Sequence, residues 1–149
     1  MIGRRFAAVA FLLLALAAVQ PARADPLLDS LAALPGSIED VRIVGSWNQG
    51  GQSGVYRVLV SRSGGDIVTA RMFVQWLAFD DNGGAKVINT IEIQEFAQLG
   101  VDIVDFSSSS DAGPLTINIQ TLDPNGNADK NYVLTVNSPT RYALAPASN

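Results

Sequence analysis

The chain has neither cysteine nor histidine among its 149 residues. Without thiols it can form no disulfide and carry no lipid on an N-terminal cysteine, so an exported form must be held by packing and backbone pairing, or by a bound ion or partner. Without imidazole or thiolate it lacks the usual general base near neutral pH and the donors of most transition-metal sites. Serine triads built on histidine are excluded outright. Long hydrophobic runs are missing too: Ala7 to Val19 has 13 residues, 14 with Phe6, against roughly 20 for a helix that crosses the hydrocarbon core of a bilayer.

What surrounds that run is informative. Arg4-Arg5 precede it, and Ala22-Arg23-Ala24 follow it just before Asp25. Basic, then apolar, then small is the order of a Sec-type signal peptide with an A-x-A cleavage site. Phe6-Ala7-Ala8 fits a twin-arginine signal poorly. The expectation is therefore that residues 1–24 are removed and that 25–149 form a soluble periplasmic or secreted protein with no membrane insertion after cleavage. Arg4, Arg5 and Arg23 are three of the ten Lys and Arg, whereas all fourteen Asp and Glu lie beyond residue 24, so cleavage takes the net charge from −4 to −7. That acidity argues against nucleic acid or anionic lipid as a partner.

Asp25-Pro26 offers a helix cap and a first helical residue, and Leu27, Leu28, Leu31 and Leu34 then share one face until Pro35-Gly36 stops the turn. Residues 25–38 thus read as a short helix and linker, with a lid on one end of the core as its expected role. From Glu39 the hydrophobic period changes from 3.6 to 2, and β-branched and aromatic residues take over between turn signals. Seven strands are expected, near Val41–Trp47, Gly54–Arg62, Ile67–Asp80, Ala85–Gln98, Val101–Phe106, Leu115–Leu122 and Asn131–Asn137. Clean alternation such as Leu115, Ile117 and Ile119 against Thr116, Asn118 and Gln120 belongs to antiparallel sheets with one wet face. Residues 39–149 are therefore expected to form one all-β domain, an antiparallel β-sandwich of meander or Greek-key type, with a small β-barrel as the alternative.

Asp81-Asn82-Gly83-Gly84 suggests a two-residue type I′ turn. The register that follows sets Trp76 opposite Asn89, Val74 opposite Ile91 and Met72 opposite Ile93 on the core face. The outer face receives Leu77 opposite Ile88 and Phe79 opposite Lys86. In the preceding hairpin a three-residue loop through Ser63-Gly64-Gly65 would pair Val58 with Ala70 and place Arg57 beside Arg71 on the outer face, with Glu92 offsetting the repulsion. A one-residue slip would instead bury Arg57, at the desolvation cost of its charge.

Phe73, Leu77, Phe79 and Ile88 add apolar area to a face that should be polar, and they are the expected binding site, for a protein partner or for self-association. The loop Asp123-Pro124-Asn125-Gly126-Asn127-Ala128-Asp129 places oxygen side chains at every second position, as calcium loops do. Asp123, Asn125, Asn127 and Asp129 are its candidate ligands. The fit to an EF-hand is poor and a plain hairpin loop explains the sequence better, so no cofactor is required. Among carboxylates, Glu92 and Glu95, like Asp102 and Asp105, are three apart and point to opposite strand faces. Lys86 and Lys130 lie in no Ser-x-x-Lys setting. No enzyme is expected. The leading expectation is an exported non-catalytic binding or interaction module. Its alternatives are a carbohydrate-binding module stacking sugars on Trp47, Trp76 or Tyr142, with or without calcium, and a small carboxylate hydrolase.

Overall fold

The computed structural model describes residues 25–109 and 114–148, and residues 1–24, expected to be a signal peptide, lie outside them. The chain divides into two units that meet between Leu34 and Pro35. In the first, helix α1 (Pro26–Ala32) starts as its sequence requires: the Asp25 side chain accepts a hydrogen bond from Leu27 N at 2.9 Å, and Pro26 needs no partner for its nitrogen. None of its residues is buried. No helix of the described residues is long and apolar enough to cross a membrane.

The second unit is a β-sandwich of two four-stranded antiparallel sheets, each a simple meander. The first holds β1 (Ile38–Gln49), β2 (Gln52–Ser63), β3 (Thr69–Phe79) and β4 (Ala85–Ile93). The second holds β5 (Asp102–Ser109), β6 (Leu115–Leu122), β7 (Lys130–Ser138) and β8 (Arg141–Pro146). The sheets are separate and no barrel closes. Between them lies one core in which alternate residues of facing strands meet, Val58, Val60, Met72, Val74 and Trp76 from the first sheet and Ile103, Phe106, Ile117, Ile119, Leu134 and Val136 from the second.

Three expectations are corrected. The strand expected to run from Ala85 to Gln98 ends at Ile93, and Gln94–Leu99 form helix α2. Gln, Glu, Ala and Leu are good helix formers there, and Gly100 closes the helix at φ 63°. Phe96 on α2 is fully buried, edge-on to Tyr132 at 5.7 Å, so the short helix plugs the core where the chain passes between sheets. An eighth strand, β8, pairs with β7 although alanine and proline make half its length. And the strand expected to end at Phe106 continues through Ser107–Ser109 opposite β6.

The hairpins differ in detail as well. No non-glycine residue of the described chain has positive φ, so Asn82 does not enter a type I′ turn. Instead the Asp80 carboxylate accepts from Asn82 N and Gly84 N, and only Gly83 takes the left-handed conformation, at φ 78°. The expected register holds from Trp76–Asn89 to Met72–Ile93. It shifts between Trp76 and Leu77, where β4 carries one extra residue, Ile88, in a bulge. Between β2 and β3 the loop is longer than three residues, so Val58 faces Val74 and Arg57 faces Gln75, not Ala70 and Arg71. Ile67 lies in that loop and is exposed.

β5 crosses the first sheet. Val101 O, just before it, accepts from Ala70 N at the start of β3 at 2.8 Å. Arg62 at the end of β2 reaches Asp102 Oδ1 at 2.9 Å and the Ile103 carbonyl. Arg42 on β1 reaches Asp105 Oδ1 at 2.8 Å and Phe106 O at 2.9 Å, with its guanidinium 4.3 Å above the Phe106 ring. Two arginines thus close an edge of the sandwich that apolar side chains cannot seal. At the other side Asn89 Nδ2 donates to Pro139 O at 2.8 Å.

Two substitutions test this account by chemical denaturation. Replacement of Arg62 by alanine removes the only donor given to the half-buried Asp102 carboxylate among the described residues, and is expected to cost about 1–3 kcal/mol. Gly54 is needed for close approach: a Cβ there would overlap the Leu77 carbonyl oxygen and lie 2.8 Å from the Trp47 ring. Gly54→Ala is accordingly expected to cost about 2–3 kcal/mol, the scale of overpacking.

Candidate functional site

Period-2 alternation gives each sheet one face toward the core and one away from it. The outward faces of the two sheets are chemically unlike. On the second, Thr116, Asn118 and Gln120 of β6 and Asn131, Thr135 and Asn137 of β7 alternate with the core residues, and Val133, Val104 and Leu122 are the apolar exceptions on an otherwise polar face. On the first, the register lines up three rows across the strands. Val41, Leu59, Phe73 and Glu92 make one; Ile43, Arg57, Gln75 and Thr90 the next; Ser46, Val55, Leu77 and Val87 the third. Apolar rows therefore flank a polar one.

The four residues expected to bind are placed unequally on this face. Phe79 is 51% exposed and Ile88 48%. Phe73 is half-buried, with the Arg71 guanidinium 5.0 Å over its ring. Leu77 is only 6% exposed yet is not part of the core cluster, so it is covered on the outward side. Because of the bulge, Val87 and not Ile88 stands opposite Leu77. The reading from sequence missed Val41 and Ile43 of β1, the latter 58% exposed, and Val55 and Leu59 of β2. Their signal was present, since Val41 and Ile43 alternate with Arg42.

The polar groups of the face are fixed by one another. Arg71 and Glu92 form a two-bonded ion pair, Nε to Oε1 at 2.7 Å and Nη2 to Oε2 at 2.8 Å. This pair holds the Glu92 carboxyl below the usual carboxylate range, and Arg42 does the same to Asp105. Arg57 has a neutral partner: Gln75 Oε1 accepts from its Nε at 2.8 Å and its Nη2 at 2.6 Å, and Gln75 Nε2 donates to Thr90 Oγ1 at 3.2 Å.

Comparison with protein-family models, curated proteins and solved structures finds no match for this chain.

The other candidate groups are engaged locally. Trp76 is buried edge-on to Tyr56 at 5.5 Å, Trp47 is half-buried with its Nε1 directed to Val55 O, and Tyr142 packs against the core and donates to Glu95 Oε2 at 2.9 Å. None of the three is an exposed stacking platform. In the loop after β6, Asp123 Oδ1 accepts from Asn125 N and Oδ2 from the Asn127 amide, both at 2.9 Å, which lowers the Asp123 pKa. Gly126, at φ 80°, closes the turn through its N–H to Asp123 O. These bonds account for the residues Asp123, Asn125 and Asn127 as turn chemistry. No group of three or more His, Cys, Asp and Glu able to hold a metal occurs among the described residues. Glu92, Asp102 and Asp105, considered above as catalytic carboxylates, each face an arginine.

The Arg71–Glu92 pair carries a pH signature. A carboxyl whose pKa is depressed in the folded state contributes stability above its unfolded value, about 4, and loses it as the pH falls through the lower folded value. The midpoint of urea unfolding should therefore fall between pH 5 and pH 3, and less steeply in Glu92→Gln than in the unaltered protein. Equal slopes would show that the pair has no part in the acid response. Solvent screening at this partly exposed site keeps the effect small.

Proposed function

We propose that this chain is an exported, non-catalytic binding module that engages a protein partner through the outward face of the β1–β4 sheet. The observation that carries the reading is the contrast between the two outward faces of one sandwich: Val41, Ile43, Phe79, Val87 and Ile88 stand exposed on or beside one, whereas Thr, Asn and Gln make up most of the β6–β7 surface of the other, where Val104 and Leu122 are the large apolar side chains exposed. Contiguous apolar surface is costly in water and is retained where association covers it. The open surface of an outer sheet face suits another protein better than a small molecule, which is ordinarily enclosed in a concavity. Export is supported by the basic, apolar and small-residue order of residues 4–24, and the absence of cysteine suits a chain stabilised by packing on either side of the membrane.

Site-specific photo-crosslinking in the producing cell tests the reading. A photoreactive residue at Ile43 should give a discrete crosslinked protein, and one at Asn118 on the opposite sheet should not. A product of twice the chain mass would identify the partner as a second copy. Crosslinking equal at both positions, or at neither, would exclude the face as a specific contact. Replacement of both Ile43 and Phe79 by lysine should abolish the product while changing stability by no more than about 0.5 kcal/mol, since both side chains are exposed.

A further inference from the structure

Resting on that reading of the face, we infer that Arg57 is the recognition point for a carboxylate, and that the partner is an acidic peptide segment with apolar residues on both sides of its Asp or Glu. The row that contains Arg57 lies between two apolar rows, Leu59 and Phe73 on one side and Val55 and Leu77 on the other. Along a strand these rows are spaced about 7 Å apart, which is two residues of extended chain. A carboxylate seated on Arg57 would therefore have apolar surface before and after it. That pattern fits an acidic residue inside a peptide; the head of a fatty acid, with a chain on one side only, would leave one row uncovered.

The guanidinium is pre-set for this role. Its hydrogen bonds to Gln75 Oε1 use Nε and Nη2, and Gln75 is itself oriented by its bond to Thr90. The acceptor is neutral, so the charge of Arg57 is not cancelled, and among the described residues Arg57 forms no ion pair and Nη1 has no acceptor. Arginine donors fixed in a plane are suited to paired bonds with a carboxylate. Self-association of the face does not meet the same need, because its own carboxylate, Glu92, is already held by Arg71.

The test uses the full chain, labelled with ¹⁵N, and two soluble peptides that differ at one position, Leu-Val-Glu-Val-Leu and Leu-Val-Gln-Val-Leu, each between lysine-free polar flanks. Titration followed by amide shifts should show both peptides perturbing Ile43, Val55, Leu59 and Phe73, with the glutamate peptide about tenfold tighter, the scale of one charge-assisted bond pair. In Arg57→Gln the two peptides should bind equally and at the strength of the glutamine peptide, and Arg57→Lys should recover only part of the preference. Equal binding of both peptides to the unaltered protein, or a preference that survives Arg57→Gln, would overturn the inference while leaving the face as a contact surface. Absence of any perturbation on this face by either peptide would overturn both. A native-like amide spectrum of each variant separates lost recognition from lost folding.

Discussion

No strand of either sheet pairs with a strand of the other, and among the described residues the only backbone bond that joins them is Ala70 N to Val101 O. Everything else that holds the sandwich together passes through side chains, chiefly the layer of Val, Ile, Leu, Phe and Met between the sheets. A cysteine-free chain has no covalent reserve if that layer fails. This is why the arginines at the β1–β5 side matter beyond their ion pairs. Arg42 and Arg62 each bond a backbone carbonyl of the second sheet as well as a carboxylate, which fixes where β5 crosses, and the stem and plane of Arg42 cover Phe106.

A core that depends on two inner faces leaves each sheet an outer one, and nothing in the fold requires the two outer faces to match. Here they diverge. Most outward positions of β6 and β7 are Thr, Asn or Gln, whereas β1 to β4 place Val41, Ile43, Val55, Leu59, Phe73, Leu77 and Val87 away from the core. If folding alone governed the first sheet, polar residues at the exposed positions Val41, Ile43 and Val87 would serve as well and would lower the tendency to aggregate. The denser apolar surface of the first sheet is the basis of the contact proposed for it.

How much of this was legible in the sequence follows from the geometry of strands. Parity survived where register did not. The expected β2–β3 pairing was displaced by four positions, yet Val58, Val60, Met72 and Val74 still face inward and Arg57 outward, because an even displacement preserves the face of every side chain. The odd displacement at the tip of β3 and β4 had a different consequence: the bulge at Ile88 removed that residue from its place opposite Leu77. Bulges and loop lengths depend on tertiary fit, for which alternation gives no signal. Helix α2 is a different kind of omission. Its residues favour helix and end in glycine, but Ile91 and Ile93 continue the β pattern up to its first residue and masked the boundary. β8 offered little, since Ala143, Ala145 and Pro146 resemble no strand until β7 supplies the ladder.

Arg57 shows how such an error alters chemistry while the fold stays the same. With the expected register two arginines would adjoin, and Glu92 would be shared between them, leaving a balanced polar patch of no particular use. The actual register separates them. Arg71 takes both oxygens of Glu92, and Arg57 is left with an amide. An amide can orient a guanidinium but cannot neutralise it, so one uncompensated positive charge stands amid apolar rows on a chain that is acidic as a whole. The net charge repels an anionic partner at long range and is screened beyond roughly 10 Å by ordinary salt. At contact distance the fixed donors and the desolvating neighbours of Arg57 dominate, so selectivity for a carboxylate would come from this one position and not from the charge of the protein.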